Sequence, residues 1–297
     1  MIRLAHLSDI HISAVPLGWR KRDWLNKRFT SWLNLRFGRQ QRFARADEVA
    51  TRLMHDLRQR DIDHIIFSGD ATALGFESEF RQAAEIMQVG VTSIPALAVP
   101  GNHDYITREV AASGLFERFF EPWQSGIRID VHRYPFAQRA GPVWLVGVNA
   151  ATGNWIPWDA AGTVGPLQRE RLRLLLRQLE SGPRFLVIHY PVRLAGGENE
   201  PRRHGLRDLS DVLEIARAGG VRLWLHGHRH SPYFFDQPAW APFPAICAGS
   251  GTQTGIWSYN EYTVGETILK AVRRSFDPAA NRFRDAETFE VRLPAGT

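Results

Sequence analysis

Several short apolar runs of the sequence are followed at once by side chains that can ligate a metal ion or move a proton. The candidate ligands are Asp9, His11, Asp70, Asn102, His189, His228 and His230, and His103 and Asp104 stand beside them in the third motif. Carboxylate and amide oxygens combined with imidazole nitrogens suit Mn, Fe or Zn. None of these side chains is a thiol, which argues against a structural zinc site.

These residues predict phosphoester hydrolysis if they converge, because a carboxylate can be shared between two divalent ions. Two ions about 3.5–4 Å apart would stabilise both the attacking and the leaving oxygen of an in-line displacement at phosphorus. Each motif is weak evidence by itself, since an isolated histidine such as His189 after a strand is usually a hydrogen-bonded core residue. The run 101–104 (Gly-Asn-His-Asp) is far more specific, and the ordered set of motifs carries the prediction.

The elements that would position these residues form an alternating pattern. Short apolar runs bounded by turn residues predict buried strands at 2–7, 64–67, 96–99, 143–148, 185–188 and 223–225, and polar–apolar alternation predicts an antiparallel edge strand at 288–293. Helical spacing predicts helices near 46–57, 167–179 and 209–216. Strands that alternate with helices indicate an α/β fold, in which ligands bind beyond the carboxyl ends of the strands.

Composition is that of an ordinary globular protein, with 44% apolar and 23% charged residues among 297. The one cysteine, Cys247, lies in an apolar run and predicts a buried, inert thiol. No signal peptide or membrane span is apparent. We therefore expect a cytoplasmic protein, with the cytoplasmic face of the inner membrane as the place of any peripheral attachment.

The excess of positive charge belongs to one segment. Residues 19–45 contain nine Lys or Arg and one acidic residue, so the segment carries +8 while the whole chain carries +6. Apolar residues recur there at spacings of three and four, which predicts one face of a helix, at Leu25, Phe29, Trp32, Leu33 and Phe37. A basic amphipathic helix with tryptophan is typical of a membrane-surface element. An ordinary helix packed on the domain explains the pattern equally well, and nucleic-acid binding is less favoured.

The order of the motifs resembles that of the calcineurin-like metallophosphoesterase superfamily. The matching residues are Asp9-x-His11, Gly69-Asp70, the run 101–104, His189 and Gly227-His228-x-His230, and the run 259–262 resembles a late strand of the family. The resemblance implies an α/β fold in a four-layer αββα sandwich, with two mixed β-sheets facing each other. Because it spans nearly the whole chain, we expect one domain over residues 1–297 with an insertion at about 16–45.

The resemblance also implies a role for each residue. One ion would take Asp9, His11, Asp70 and His230, and the other would take Asp70, Asn102, His189 and His228, so that Asp70 bridges. A hydroxide held between the ions would attack phosphorus. His103 would protonate the leaving oxygen, and Asp104 would orient the His103 ring. The preferred metal is Mn, with Fe and Zn as alternatives, and His226 would be a buried residue outside the ligand set.

The insertion resembles that of bacterial metallophosphoesterases of the lipid A pathway that hydrolyse UDP-2,3-diacylglucosamine, through the run 32–37 (Trp-Leu-Asn-Leu-Arg-Phe). This likeness implies a lid over an apolar groove and a nucleotide-lipid substrate at the inner membrane surface. Candidate substrate contacts are Phe29 and Trp32 in the insertion and Arg193 and Arg203 in the loop after His189. A solvated loop would explain the two arginines as well. The sequence does not define the oligomeric state.

Two other functions stay open at this point. A soluble cyclic-nucleotide (3',5'-cAMP) phosphodiesterase would use the same metal set but has no need of a basic, apolar lid. A non-catalytic metal-binding scaffold is the remote alternative. Such scaffolds usually lack the histidine of the Asn-His-Asp motif, and here His103 is present.

Overall fold

The first of two β-sheets joins the beginning of the chain to its end. The computed structural model describes residues 1–294, so residues 295–297 of the expected domain lie outside the described residues. The six strands are, from edge to edge, Arg282–Arg292 (β12), Ile268–Asp277 (β11), Ser258–Val264 (β10), Ile2–Leu7 (β1), His64–Phe67 (β2) and Ala96–Ala98 (β3). Strands β1, β2 and β3 are parallel, whereas β10, β11 and β12 pair in antiparallel fashion. The predicted antiparallel edge strand near the C-terminus is confirmed as part of β12.

The second sheet is built from the middle of the chain. Its six strands are, in order, Phe136–Ala140 (β4), Val143–Gly147 (β5), Arg184–Val187 (β6), Val221–His226 (β7), Ala245–Cys247 (β9) and Tyr233–Phe235 (β8). The central strands β5, β6, β7 and β9 are parallel, and the two edge strands are antiparallel to them. Both sheets are therefore mixed, which confirms the predicted α/β fold with two mixed sheets.

Helices cover the outer faces of the two sheets. They are Lys27–Asn34 (α1), Ala46–Arg58 (α2), Glu77–Ile86 (α3), Arg108–Ser113 (α4), Leu115–Phe119 (α5), Pro166–Gln178 (α6) and Leu209–Ala218 (α7). Side chains along the central strands alternate between two apolar layers. In β7, Leu223 and Leu225 enter the layer between the sheets, whereas Trp224 enters the layer beneath α6 and α7. None of the helices described within residues 1–294 has the length and apolar character that crossing a membrane requires.

The insertion does not form the single helix face that the spacing predicts. A 3-10 turn (Lys21–Leu25) comes first, α1 follows, and a π-helical turn begins at Leu35. The Asn26 side chain accepts a hydrogen bond from the backbone amide of Arg28 at 2.8 Å and so caps α1. Leu25 therefore lies outside the helix and is exposed, whereas Trp32 packs on the outer core of the first sheet.

Arg28 attaches the insertion to the rest of the fold. Its guanidinium pairs with Asp23 at 2.6 Å and donates to the carbonyls of Leu74 at 3.0 Å and Gly75 at 2.8 Å. It also stacks 4.0 Å above the ring of Phe76. Because Arg28 is buried, these bonds satisfy a charge that would otherwise be costly. The insertion is thus fixed to the 74–76 segment.

A buried histidine links the two sheets. His64 of β2 donates from Nε2 to Oε1 of Gln138 in β4, at 2.8 Å. The side-chain amide nitrogen of Gln138 donates hydrogen bonds to the carbonyls of Trp123 and Ser125. Burial lowers the pKa of His64 from 6.5 to about 4.

This lowered pKa predicts a loss of stability in acid. Below about pH 6.5 the unfolded chain takes up a proton at His64 that the folded chain binds only near pH 4. The wild type should lose about 2–3 kcal/mol through this group between pH 7.5 and 4.5. His64→Gln has no such proton, so its unfolding free energy should approach that of the wild type in acid. Urea denaturation at both pH values tests this, with His55→Gln at the exposed His55 as control. If the difference in unfolding free energy between the wild type and His64→Gln were the same at both pH values, the prediction would be contradicted.

Candidate metal centre

The loops after β1, β2, β3, β6 and β7 meet where the two sheets approach each other. Backbone hydrogen bonds fix this meeting point. The amide of Asp9 donates to the carbonyl of Gly69 at 2.9 Å, and the amide of Gly227 donates to the carbonyl of His189 at 3.1 Å. The hydroxyl of Ser250 donates to the carbonyl of Asp9 at 2.6 Å and so ties the two sheets together. All seven candidate ligands lie in these loops.

Asp70 stands between the two halves of the centre. Its Oδ2 atom is 3.8 Å from Nε2 of His11 and 3.3 Å from Nε2 of His189. Its Oδ1 atom accepts the backbone amide of His103 at 2.7 Å. One carboxylate oxygen is therefore held by the protein, while the other faces imidazoles on both sides.

Asp9 supplies the second buried carboxylate. Its Oδ2 atom accepts the backbone amide of His228 at 3.0 Å. Its Oδ1 atom is 3.6 Å from Nε2 of both His11 and His230, which is too far for a hydrogen bond. This oxygen is buried and has no hydrogen-bond partner among the described residues. An orphaned, buried carboxylate oxygen beside two imidazoles fits a cation.

Asn102 converges with the remaining two histidines. Its Oδ1 atom is 3.2 Å from Nε2 of His189 and 2.8 Å from Nδ1 of His228. The other nitrogen of His189 donates to the carbonyl of Ser68 at 2.8 Å, which fixes the ring and directs Nε2 inward. His230 is oriented in the same way by Oε1 of Gln253, at 2.5 Å from Nδ1. Gln253 belongs to none of the sequence motifs, so its contact with His230 was not predicted.

The donor atoms fit a pair of divalent ions. Three sets of candidate donors each lie within 4.8 Å of one another: Asp9, His11 and His230; His11, Asp70 and His103; Asp9, Asp70 and His189. Asp9, His11 and Asp70 each belong to two of the sets, and Asp70 is grouped with His11 in one set and with His189 in another. The bridging role of Asp70 stays a prediction. The sets also include His103, whose Nδ1 donates to the carbonyl of Ala73 at 2.8 Å. Its exclusion from the ligand set stays a prediction.

The backbone around the centre is held in an unusual conformation. Asp9, His11, Asp70 and His228 all have positive φ, between 44° and 68°. For residues other than glycine this region is sparsely populated and costs free energy, so it persists only where the surrounding structure imposes it. A Cβ atom at Gly227 would collide with Ser8 and Asp9, so only glycine lets these loops approach so closely.

Asp104 braces the loops that carry the candidate ligands, whereas its role in orienting His103 stays a prediction. Its carboxylate accepts backbone amides of Gly101 at 3.0 Å, Asp70 at 2.9 Å, Ala71 at 3.2 Å and Thr72 at 3.0 Å. The bond that orients the His103 ring comes from the carbonyl of Ala73. The bond from the Gly101 amide shows that Asp104 also holds the backbone of the loop that carries His103.

Two chambers have both His103 and Asn102 in their linings. The polar chamber has a volume of about 590 Å³, and its lining includes Arg42, His204, His228, Arg229, His230 and Gln253. The insertion chamber has a volume of about 270 Å³, and its lining includes Lys27, Ser31, Leu35, Phe43, Ile106 and Trp158. Lys27, Phe43 and Arg42 were not singled out from the sequence, although all three lie in the basic, aromatic segment. His204 lines both chambers.

The four predicted substrate contacts have different positions. Phe29 lines a third cavity of about 550 Å³, the outer groove, together with Trp24, Leu25, Trp155 and Pro157. Trp32 packs against Trp19 and Phe29. Arg193 donates to the carbonyl of Trp240 at 3.2 Å, and Arg203 is exposed. Neither arginine is among the residues that line the polar chamber in the described part of the chain.

His226 and Cys247 lie buried behind the centre. His226 is fully buried, and its Nδ1 donates to the carbonyl of Gly227 at 2.8 Å. Burial lowers the pKa of His226 to about 4, so the ring stays neutral. The Cys247 thiol is also fully buried and donates to the carbonyl of Arg229 at 2.9 Å. Both therefore have the surroundings of structural residues.

Charge is balanced within the centre by carboxylates and imidazoles. Burial alone would raise the pKa of Asp9, but nearby imidazoles, led by that of His11, lower it to about 2. Burial is likewise outweighed at Asp70, whose pKa is held well below its usual range, mainly by His189. Although burial opposes a charged imidazole, Asp70 raises the pKa of His189 to about 9. Burial keeps His228 neutral by lowering its pKa.

Comparison with known proteins places this arrangement in context. A family model described as calcineurin-like phosphoesterase matches residues 2–232, which is more than half of the chain. No curated protein sequence matches the chain.

Two solved structures have a similar fold. A dimetal phosphatase from Danio rerio is 12% identical with a TM-score of 0.67, and the match covers 99% of each chain. A purple acid phosphatase from yellow lupin (Lupinus luteus) seeds is 14% identical with a TM-score of 0.61, and the match covers 98% of this chain and 53% of the lupin protein. At such low identities the likeness shows the fold.

The raised pKa of His189 predicts that metal binding depends on pH. Below about pH 9 the imidazole holds a proton that a ligating metal ion must displace. The apparent affinity for Mn²⁺ should therefore rise between pH 6 and pH 8, with release of about one proton per site. Calorimetric titrations in buffers of different ionisation enthalpy measure both quantities. Affinity independent of pH without proton release would contradict the expectation.

Asp70→Asn should remove the carboxylate that lies between the two halves of the centre. We expect bound Mn²⁺ to fall by at least half and turnover of a small chromogenic phosphodiester to fall by about 10³-fold or more, since shared charge compensation is lost. Elemental analysis and steady-state kinetics provide the readouts. The matched control is Asp61→Asn, at a fully exposed aspartate. Full metal content with unchanged turnover would refute the assignment of Asp70.

Proposed function

The chain belongs to the calcineurin-like phosphoesterase family, and on this premise we propose that its dinuclear metal centre hydrolyses an amphiphilic phosphodiester or pyrophosphate. A nucleotide-linked diacyl sugar such as UDP-2,3-diacylglucosamine is the first candidate. The chain is a phosphoester hydrolase with a dinuclear site for divalent metal ions. The choice of substrate is the part that we infer.

The observation that carries the proposal is the contrast between the two sides of the metal centre. The polar chamber presents cationic and imidazole side chains, including Arg42, Arg229 and His204. On the other side, the insertion chamber is followed by the outer groove, and Lys27 and Pro157 line both cavities. A phosphodiester bound at the junction would direct a polar group one way and an apolar group the other.

The outer groove has the chemistry of an acyl-chain site. Trp24, Leu25 and Trp155 are exposed by 50%, 91% and 76%, and all three line the groove. Exposed apolar side chains that gather in one place mark a binding surface. Arg20 and Arg22 are exposed in the same insertion. Aromatic side chains beside cations suit the surface of an anionic membrane, which supports peripheral attachment on the cytoplasmic face.

We assign the ligands as the family resemblance implies. One ion would be held by Asp9, His11, Asp70 and His230, and the other by Asp70, Asn102, His189 and His228. Such a pair, when bound, supplies a deprotonated water near neutral pH and stabilises the charge of the transition state. Mn²⁺ is preferred for this mixture of oxygen and nitrogen donors.

The side chains of the chain itself position and protonate the substrate. The Ala73 carbonyl keeps a proton on Nδ1 of His103. In the imidazolium form the second proton is on Nε2, and this proton would pass to the leaving oxygen, which leaves a neutral ring protonated at Nδ1. The ring of His103 lies 4.7 Å from that of His11 and lines both chambers. It therefore has access to a leaving group on either side.

A direct comparison of substrates tests the proposal. The Mn²⁺-loaded enzyme should hydrolyse UDP-2,3-diacylglucosamine in detergent at least 100-fold more efficiently than cyclic AMP, because only the former fills the apolar groove. Efficiencies would be compared as kcat/KM. A preference for cyclic AMP would replace the proposal with a cyclic-nucleotide phosphodiesterase. Full metal loading without turnover of either substrate, or of a small chromogenic diester, would favour the scaffold.

Leu25→Asp should impair the amphiphilic substrate selectively. A charge in the groove removes an apolar contact worth about 1.5–3 kcal/mol, so kcat/KM for the diacyl substrate should fall at least tenfold. Activity on a small chromogenic diester should stay within twofold of the wild type. The control is Leu167→Asp at a leucine of α6 that is 73% exposed. Equal losses on both substrates would show that the groove does not bind the apolar part.

A further inference from the structure

Lys27 occupies a position that the metal centre alone does not explain. It is the first residue of α1, and only 8% of its surface is exposed. It lines the insertion chamber together with Asn102 and His103. It also lines the outer groove. Its ammonium group therefore stands at the boundary between the reacting centre and the apolar part of the cavity.

The hydrogen-bonding capacity of Lys27 is largely unused. An ammonium group has three N–H donors. Among residues 1–294, the acceptor found for Nζ is the carbonyl of Asp159, at 2.6 Å. A buried cation with spare donors is costly unless an anion completes its surroundings. Burial lowers the pKa of Lys27 to about 8, against the opposing fields of Asp159 and Asp70.

The neighbours of Lys27 hold it in place. Asn26 caps the helix that Lys27 begins, and Arg28 clamps the same turn to the 74–76 segment. The bond to Asp159 anchors the far end of the side chain. The ammonium group is thus fixed in position before any ligand arrives, which reduces the entropy lost on binding.

We propose that Lys27 binds the phosphoryl oxygens of the substrate, so that the insertion recognises the phosphate group as well as the apolar part. A phosphate oxygen is the acceptor that the spare donors lack, and its charge compensates the buried ammonium. Lys27 is thereby a substrate-binding residue. The inference rests on the proposed phosphoester chemistry but not on the identity of the apolar group.

Lys27→Gln gives the sharpest test, because a glutamine amide can still donate to the Asp159 carbonyl while the charge is removed. Inorganic phosphate should inhibit hydrolysis of a small chromogenic diester about tenfold more weakly in this variant. The KM for the diester should rise about fivefold to tenfold, and kcat should change less than threefold. Lys27→Arg should restore phosphate inhibition to within threefold of the wild type. Lys270→Gln, at an exposed lysine of β11, removes the same charge elsewhere.

Two outcomes would overturn the inference. Phosphate inhibition within twofold of the wild type in both Lys27→Gln and Lys27→Met would show that the ammonium does not contact phosphate. Equal weakening in Lys27→Arg, with lowered Tm or metal content, would show a purely structural role. Inorganic phosphate and the chromogenic diester have no acyl chain, so both tests of Lys27 are independent of the apolar group. If the wild type preferred cyclic AMP, the amphiphilic substrate would be refuted, and the phosphate contact of Lys27 would still be decided by the inhibition measurements.

Discussion

The constraint on which the structure depends is the burial of two carboxylates side by side. Asp9 and Asp70 are at most 1% exposed, and like charges removed from water repel each other. They are tolerated because imidazoles from both sheets surround them. This requires five strand ends to reach one point, and parallel strands do so because their carboxyl ends share an edge. The αββα architecture is thus the scaffold for one compensated cluster of charge, which a pair of divalent ions completes.

The loops that carry these groups depend in turn on the fold around them. Four of the seven candidate ligands adopt left-handed backbone conformations. Such conformations cost free energy in residues other than glycine, so the surrounding structure must impose them. Asp104 holds two of the loops together through four backbone amides, and Ser250 joins a third to the opposite sheet. The packing of three apolar layers therefore offsets the cost of the strained loops and keeps the donor atoms close together.

Sequence patterns predicted the features that depend on residue type and on spacing over a few neighbouring positions. The strand ends, the αβ alternation and the candidate ligands could be inferred because apolar runs and polar types are visible along the chain. The single helix face predicted from Leu25 to Phe37 was wrong, because Asn26 caps the helix after Leu25. Gln253 and Lys27 were missed because their importance arises from neighbours distant in the chain. The outer groove could not be predicted, since it lies between the insertion and residues 107–109 and 154–157.

The clamp at Arg28 has a consequence for how specificity can evolve. Arg28 binds the carbonyls of Leu74 and Gly75, and the carbonyl of Ala73 orients His103. The insertion and His103 are therefore both bonded to one short stretch of backbone, residues 73–75. Exchanging this insertion for another would also require matching changes in residues 73–76. Substitutions that change substrate preference would therefore disturb the fold less at the exposed rim of the insertion than at its anchored base.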